Sequence, residues 1–160
     1  MALTGIENYS RNHLKSGYVR PTQKQIANNV INSENSAVVH KVVDYLNSML
    51  IVNKYKYYYY RKYSLPTDVE LTNKIKLSLA ANRPVILWCN PYKAFKYYVG
   101  DGASKTKTHY VVIDEYDAVS NTFNIVDPTY VTELQGRNRG VTVNEILKSI
   151  SNVEGYIICS

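Results

Sequence analysis

The chain has 160 residues, 45% of them hydrophobic and 20% charged, with 19 Lys and Arg against 13 Asp and Glu for a net charge of +6. That length predicts one domain over residues 1–160, large enough to bury a core without staples, and the composition excludes a disordered chain. No run approaches the roughly 18 apolar residues of a membrane span, and two cysteines, Cys89 and Cys159, are too few for a disulfide scaffold or a four-ligand zinc site.

Tyrosine supplies 16 of the 19 aromatic residues. The basic residues are dispersed, with one concentration at Lys54–Lys62, interleaved with tyrosines, and another at Lys93, Lys96, Lys105 and Lys107. Basic residues between aromatics can hold single-stranded nucleic acid. They can equally form a strand with packed rings and solvated charges. No nucleic-acid-binding motif accompanies them, so no nucleic-acid partner is expected; an acidic partner such as an anionic cell envelope stays open.

The first half reads as helices. Leu3, Ile6, Tyr9 or Ser10, and His13 or Leu14 recur at helical spacing, bounded by Gly17 and Pro21. Pro21-Thr22-Gln23 predicts the start of a second helix through about Asn32, with Ile26, Ala27 and Val30 on one face. Ser36 can cap a third that carries Val39, Val42, Val43, Leu46, Met49 and Leu50. Residues 51–64, rich in Val and Tyr, predict a strand or extended connection in which only two of Tyr57–Tyr60 share a face. Thr67 and Glu70 have capping-box spacing and open a helix with Leu71, Ile75, Leu77, Leu79 and Ala80, which ends near Asn82 because Pro84 follows.

The second half, residues 83–160, reads mainly as strands. Val85–Cys89 is nearly all apolar and predicts a central strand. A polar loop over 90–108 leads to a strand at Tyr110–Asp114, a turn at 118–121 and a strand at Phe123–Val126, stopped by Asp127-Pro128. Thr142 and Glu145 form a second capping box, opening a helix with Ile146, Leu147 and Ile150. Gly155 precedes a last strand, Tyr156–Cys159. The layout is α+β, with N-terminal helices packed on a C-terminal antiparallel sheet.

Of the three histidines, His13 and His40 lie on predicted helices and read as structural or surface residues. His109 opens an apolar strand directly after a long loop, at a sheet rim where chemistry-bearing groups concentrate. Folding the chain at residues 118–121 brings the end of the next strand, Asp127, beside it. A carboxylate against an imidazole fixes its tautomer and stabilises the imidazolium. On spacing alone, an ordinary surface His–Asp pair fits equally well. No metal spacing exists, and no cofactor is expected. Cys89 and Cys159 lie in predicted strands, where thiols are mostly inert packing, and Thr4 and Ser10 are weak hydroxyl candidates.

The stretches Arg83-Pro-Val-Ile-Leu87, Thr108-His-Tyr-Val-Val112 and Asn124-Ile-Val-Asp-Pro128, with Pro21-Thr-Gln23 and the following Ile26-Ala27, resemble the papain-fold cysteine peptidases related to bacteriocin-processing (double-glycine leader) peptidases. The resemblance spans nearly the whole chain. It implies a papain-like fold, with His109 as general base and Asp127 as its orienting carboxylate. It also implies a cysteine at the N-terminus of the first helix, where the helix dipole and the imidazolium lower a thiol's pKa. No cysteine stands there. Ala2 occupies the expected nucleophile position, or Met1 if the register shifts by one; the alternatives are a nucleophile further upstream and a natural pseudoenzyme. The glutamine expected shortly before the nucleophile for the oxyanion hole is also missing. The expected function is a cysteine endopeptidase acting on a peptide or protein through a Cys-His-Asp triad, its nucleophile missing from this chain. The alternative is an inactive domain of the same fold that binds a peptide or cell-envelope partner through its Tyr/Lys-rich surface. A secreted or cell-surface bacterial protein is expected; the start, MALTGIENYSRNH, carries no signal peptide, so for a secreted protein the signal is already removed.

Overall fold

Successive residues of an extended segment line opposite faces of a sheet; the near-continuous apolar runs 85–89 and 110–113 are buried on both faces, 122–126 alternates, and together they build its centre. The computed structural model describes residues 17, 19, 22–31, 38–49, 56–61, 67–90, 109–127, 137–150 and 155–159. Among these, the helices are α1 (Gln23–Val30), α2 (Val39–Met49), α3 (Asp68–Ala80) and α4 (Val143–Ser149). The strands are β1 (Tyr57–Arg61), β2 (Val85–Cys89), β3 (His109–Asp117), β4 (Thr122–Val126), β5 (Arg137–Thr142) and β6 (Gly155–Cys159). They form one sheet in the order β1-β6-β2-β3-β4-β5, each neighbouring pair antiparallel. The α+β expectation holds, with β1 the one strand drawn from the helical half.

Each face of the sheet is closed by helices. Leu71 and Ile75 of α3 and Ile146 of α4 pack, with Ile150 just beyond it, against Val85, Leu87, Cys89, Val111, Ile113, Phe123, Ile125 and Val141. On the other face Leu46 and Met49 of α2 pack on Tyr57 and Ile86. Burying such side chains supplies roughly 1.5–3 kcal/mol each before entropy is set against it.

The helix ends follow local chemistry. Thr22 caps α1: its hydroxyl accepts from the Gln25 N–H at 3.3 Å and the Gln25 amide oxygen accepts from the Thr22 N–H at 2.8 Å. That helix stops at Val30, short of Asn32, because Ile31 is already extended. The Thr142–Glu145 box forms in both directions. At Thr67 the described contacts hold one half of the box, the hydroxyl accepting from the Glu70 N–H. On α3 the inward positions are Leu71, Ile75 and Ser78, while Leu77 is 70% exposed. The predicted first helix and the Ser36 cap lie outside the described residues.

The end of α3 is a Schellman motif. Asn82 takes φ 59°, its N–H donates to the Leu79 carbonyl at 2.8 Å, and the Arg83 N–H donates to the Ser78 carbonyl at 2.8 Å. Left-handed backbone is open to Asn and Gly and costs a residue with a Cβ and no polar side chain roughly 1–2 kcal/mol. Asn82→Ala is therefore expected to lower stability by about 1 kcal/mol, while Asn82→Gly leaves it near the parent value. Chemical denaturation of the two variants against the parent checks both outcomes.

The second half runs further than its apolar pattern. β3 extends to Asp117, past a bulge at Asp114 that turns Tyr116 onto Phe123. β5 was not expected at all: RNRGVT carries one aliphatic residue and no alternation. A second bulge sets Arg139 and Gly140 against Asn124, and Gly140 supplies φ 71° there. The β3–β4 turn is held by Asp117, whose carboxylate accepts from the Val119 N–H at 2.8 Å and from the Ser120 hydroxyl at 2.7 Å. Those bonds, the Ser120 hydroxyl first, hold its pKa below the usual carboxylate value.

Candidate active site

β2 ends, β3 begins and β4 ends at the same rim of the sheet. The β3–β4 register pairs Val112 with Val126. Continued by one residue, it sets Asp127 opposite Val111, and His109 becomes its diagonal neighbour on the same face. His109 Nε2 lies 2.8 Å from Asp127 Oδ1. The two residues that the sequence places in contact range are thus hydrogen-bonded.

Their environments differ in a way that matters chemically. Asp127 shares its row with Val111 and Leu87, both fully buried, and is itself 0% exposed. A carboxylate in an apolar row needs a charged or strongly donating partner. His109 is one such partner, and its side chain keeps 28% exposure. An ionised carboxylate only accepts, so the Nε2–H donates to it and the neutral ring carries its lone pair on Nδ1. One end of the imidazole is anchored in the core and the ring reaches the surface. The Asp127 contact fixes the ring in one tautomer.

β2 contributes a feature that the sequence did not reveal. Cys89 is the register partner of His109, so the two side chains share a face, with Cβ atoms about 4.5–5.5 Å apart for such pairs. The loop over 90–108 hides that register from sequence. Cys89 is 0% exposed within the core, and a thiol with no exposed surface cannot meet a peptide carbonyl. The next residue, Asn90, is also buried, and its N–H donates to the Ser149 carbonyl at 2.8 Å, tying the end of β2 to the end of α4. Cys159 lies elsewhere. The β2–β6 register, continued from Ile86↔Ile157, puts it opposite residue 84, five positions from Cys89. That is roughly 16 Å along a strand, too far for a disulfide.

Across the sheet from His109, the Trp88 and Tyr110 rings stack at 5.9 Å and 13°. Tyr59 reaches Trp88 at 6.4 Å across β6, where Trp88 faces Gly155, a residue with no side chain of its own. Burial, with Tyr59 beside it, pushes the Tyr110 phenol up to about 12. Its neutral form is favoured by folding, so this contribution to stability is present below the ordinary tyrosine value of about 10 and is lost as pH rises toward 12. An absorbance titration at the tyrosinate band is expected to lose one late-ionising residue in Tyr110→Phe.

The tyrosines of β1 serve mainly as packing. Tyr57 is buried, Tyr59 and Tyr60 each pack on a core cluster, and Tyr58 is exposed under the Lys56 ammonium, 5.4 Å from its ring centre. Lys74 sits 5.2 Å over Tyr60 in the same way. His40 lies on the exposed side of α2. No helix among the described residues is long and apolar enough to cross a membrane. Ala2, Met1, Thr4, Ser10 and His13 lie outside the described residues.

Helices on both faces of an antiparallel sheet, with a histidine and a buried carboxylate joined at its rim, define the class of the papain-like cysteine peptidase folds. The family model described as "Peptidase_C39 like family" matches residues 2–151, and the chain belongs to that family, whose fold is papain-like. No curated protein matches the chain.

Proposed function

We propose that the native protein is a cysteine peptidase in which His109 is the general base, Asp127 its orienting carboxylate, and the nucleophile a thiol at the position that Ala2 occupies in this chain. The observation that carries the reading is the 2.8 Å contact between the fully buried Asp127 and the partly exposed His109. With Nε2–H directed at Asp127, Nδ1 takes the thiol proton and the thiolate attacks the peptide carbonyl carbon. The tetrahedral adduct collapses as the C–N bond breaks and the imidazolium gives its proton to the leaving amine. Water, deprotonated by the same nitrogen, then hydrolyses the thioester and restores the thiol. Backbone amides at the start of the first helix would stabilise the oxyanion.

The test is to place a cysteine at either end of the register, Ala2→Cys or Met1→Cys, and to treat each protein with a thiol-directed peptide probe. The expected result is labelling mapped to the introduced residue and abolished by His109→Ala. Labelling that is absent from both variants, independent of His109 or confined to Cys89 overturns the proposal. Binding of peptide without labelling would favour the non-catalytic alternative.

A further inference from the structure

The imidazole of His109 stands between two strands. On the β4 side its Nε2 meets Asp127 at 2.8 Å. On the β2 side its register partner is Cys89. The pairs Val85↔Ile113, Leu87↔Val111 and Cys89↔His109 are successive rungs on one face of the sheet, and the first two are apolar and fully buried. The Cys89–His109 rung closes this ladder at the rim, and its β2 member is as deeply buried as the rungs below it. A residue at position 89 therefore sets how far the ring can swing toward β2, away from Asp127. A larger side chain would displace the ring. A smaller one would open space beside it and admit water toward the Nε2–Asp127 bond.

We propose that Cys89 is a positioning residue for His109: its side chain fills the β2 flank of the imidazole and holds the ring against Asp127 in the Nε2–H tautomer. The role rests on His109 as the base. It requires neither ionisation nor exposure of the thiol, in keeping with a side chain at 0% exposure. Small rigid neighbours of this kind fix a catalytic rotamer because packed side chains have few alternative positions.

The experiment uses the chain as it stands, since it reads the imidazole and not turnover. The ring nitrogens of His109 are followed by ¹⁵N NMR in the parent, Cys89→Ala, Cys89→Ser and Cys89→Val, with folding checked by the resolved amide spectrum. The expected result is a locked Nε2–H tautomer in the parent and in Cys89→Ser, which keeps the shape of the side chain. In Cys89→Ala and Cys89→Val the tautomer ratio falls about tenfold, the scale of losing one hydrogen bond to a charged group. An unchanged ratio in folded Cys89→Ala or Cys89→Val overturns the proposal, as does loss of the ratio in Cys89→Ser. If the alanine variant does not fold, the valine variant decides, since it leaves no void. Failure here with His109-dependent labelling intact rejects Cys89 alone. Labelling that ignores His109 rejects the parent reading instead.

Discussion

In the protein carrying a cysteine at position 2, His109→Ala is expected to lower the rate of probe acylation and of peptide cleavage by about 10²–10⁴-fold, the range for loss of a general base. Asp127 variants should fall between that and the parent, in an order set by the bond they can make. In Asp127→Ala the Nε2–H loses its acceptor at 2.8 Å, and both the tautomer and the ring orientation are released. In Asp127→Asn the carboxamide oxygen can still accept from Nε2, so orientation is retained, but the negative charge that stabilises the imidazolium is gone. The expected ranking of rates is parent, Asp127→Asn, Asp127→Ala and then His109→Ala. Rates of labelling at fixed probe concentration, with folding checked by circular dichroism, measure it. An Asp127→Ala rate equal to the parent's would reduce the carboxylate to a structural partner of the ring.

The site was legible where the chain is local. His109 and Asp127 flank one hairpin, and closing it at the Asp117–Ser120 turn brings them to the same rim. The turn register alone would set Asp127 opposite Val112, on the other face; the bulge at Asp114, which no apolar pattern announces, shifts it opposite Val111 and onto the face of His109. The caps at Thr67 and Thr142 were equally local, and each opens a helix. What escaped was non-local or unpatterned. The facing of Cys89 and His109 depends on pairing across a loop with no register signal of its own. β5 pairs through its backbone, and its side chains RNRGVT carry no alternation to announce it. Likewise, Leu77 looks like a core residue by type and is turned outward because Ser78 takes the inward position at the Schellman end of α3.

The same pair makes a prediction about stability that needs no nucleophile. His109→Leu in this chain removes a donor from a carboxylate that is 0% exposed in a row with Leu87 and Val111. Loss of a hydrogen-bond donor leaves a buried carboxylate less well satisfied, at a cost of about 1–3 kcal/mol and more for a charged group. With Asp127 0% exposed, about 3 kcal/mol is expected. For a chain of this size that is a fall in Tm of roughly 6–12 °C. Asp127→Leu in the His109→Leu background should recover much of the loss, since two apolar side chains continue the rungs below them and no charge remains to be satisfied. Additivity of the two losses would mean that the residues are not energetically coupled; recovery in the double variant is the signature of a buried carboxylate held by its imidazole. Denaturant titrations of the four proteins, compared at equal m, measure the coupling directly. A loss below about 1 kcal/mol in His109→Leu would place the pair with ordinary surface contacts and remove the energetic reason for Asp127 to hold the ring at all.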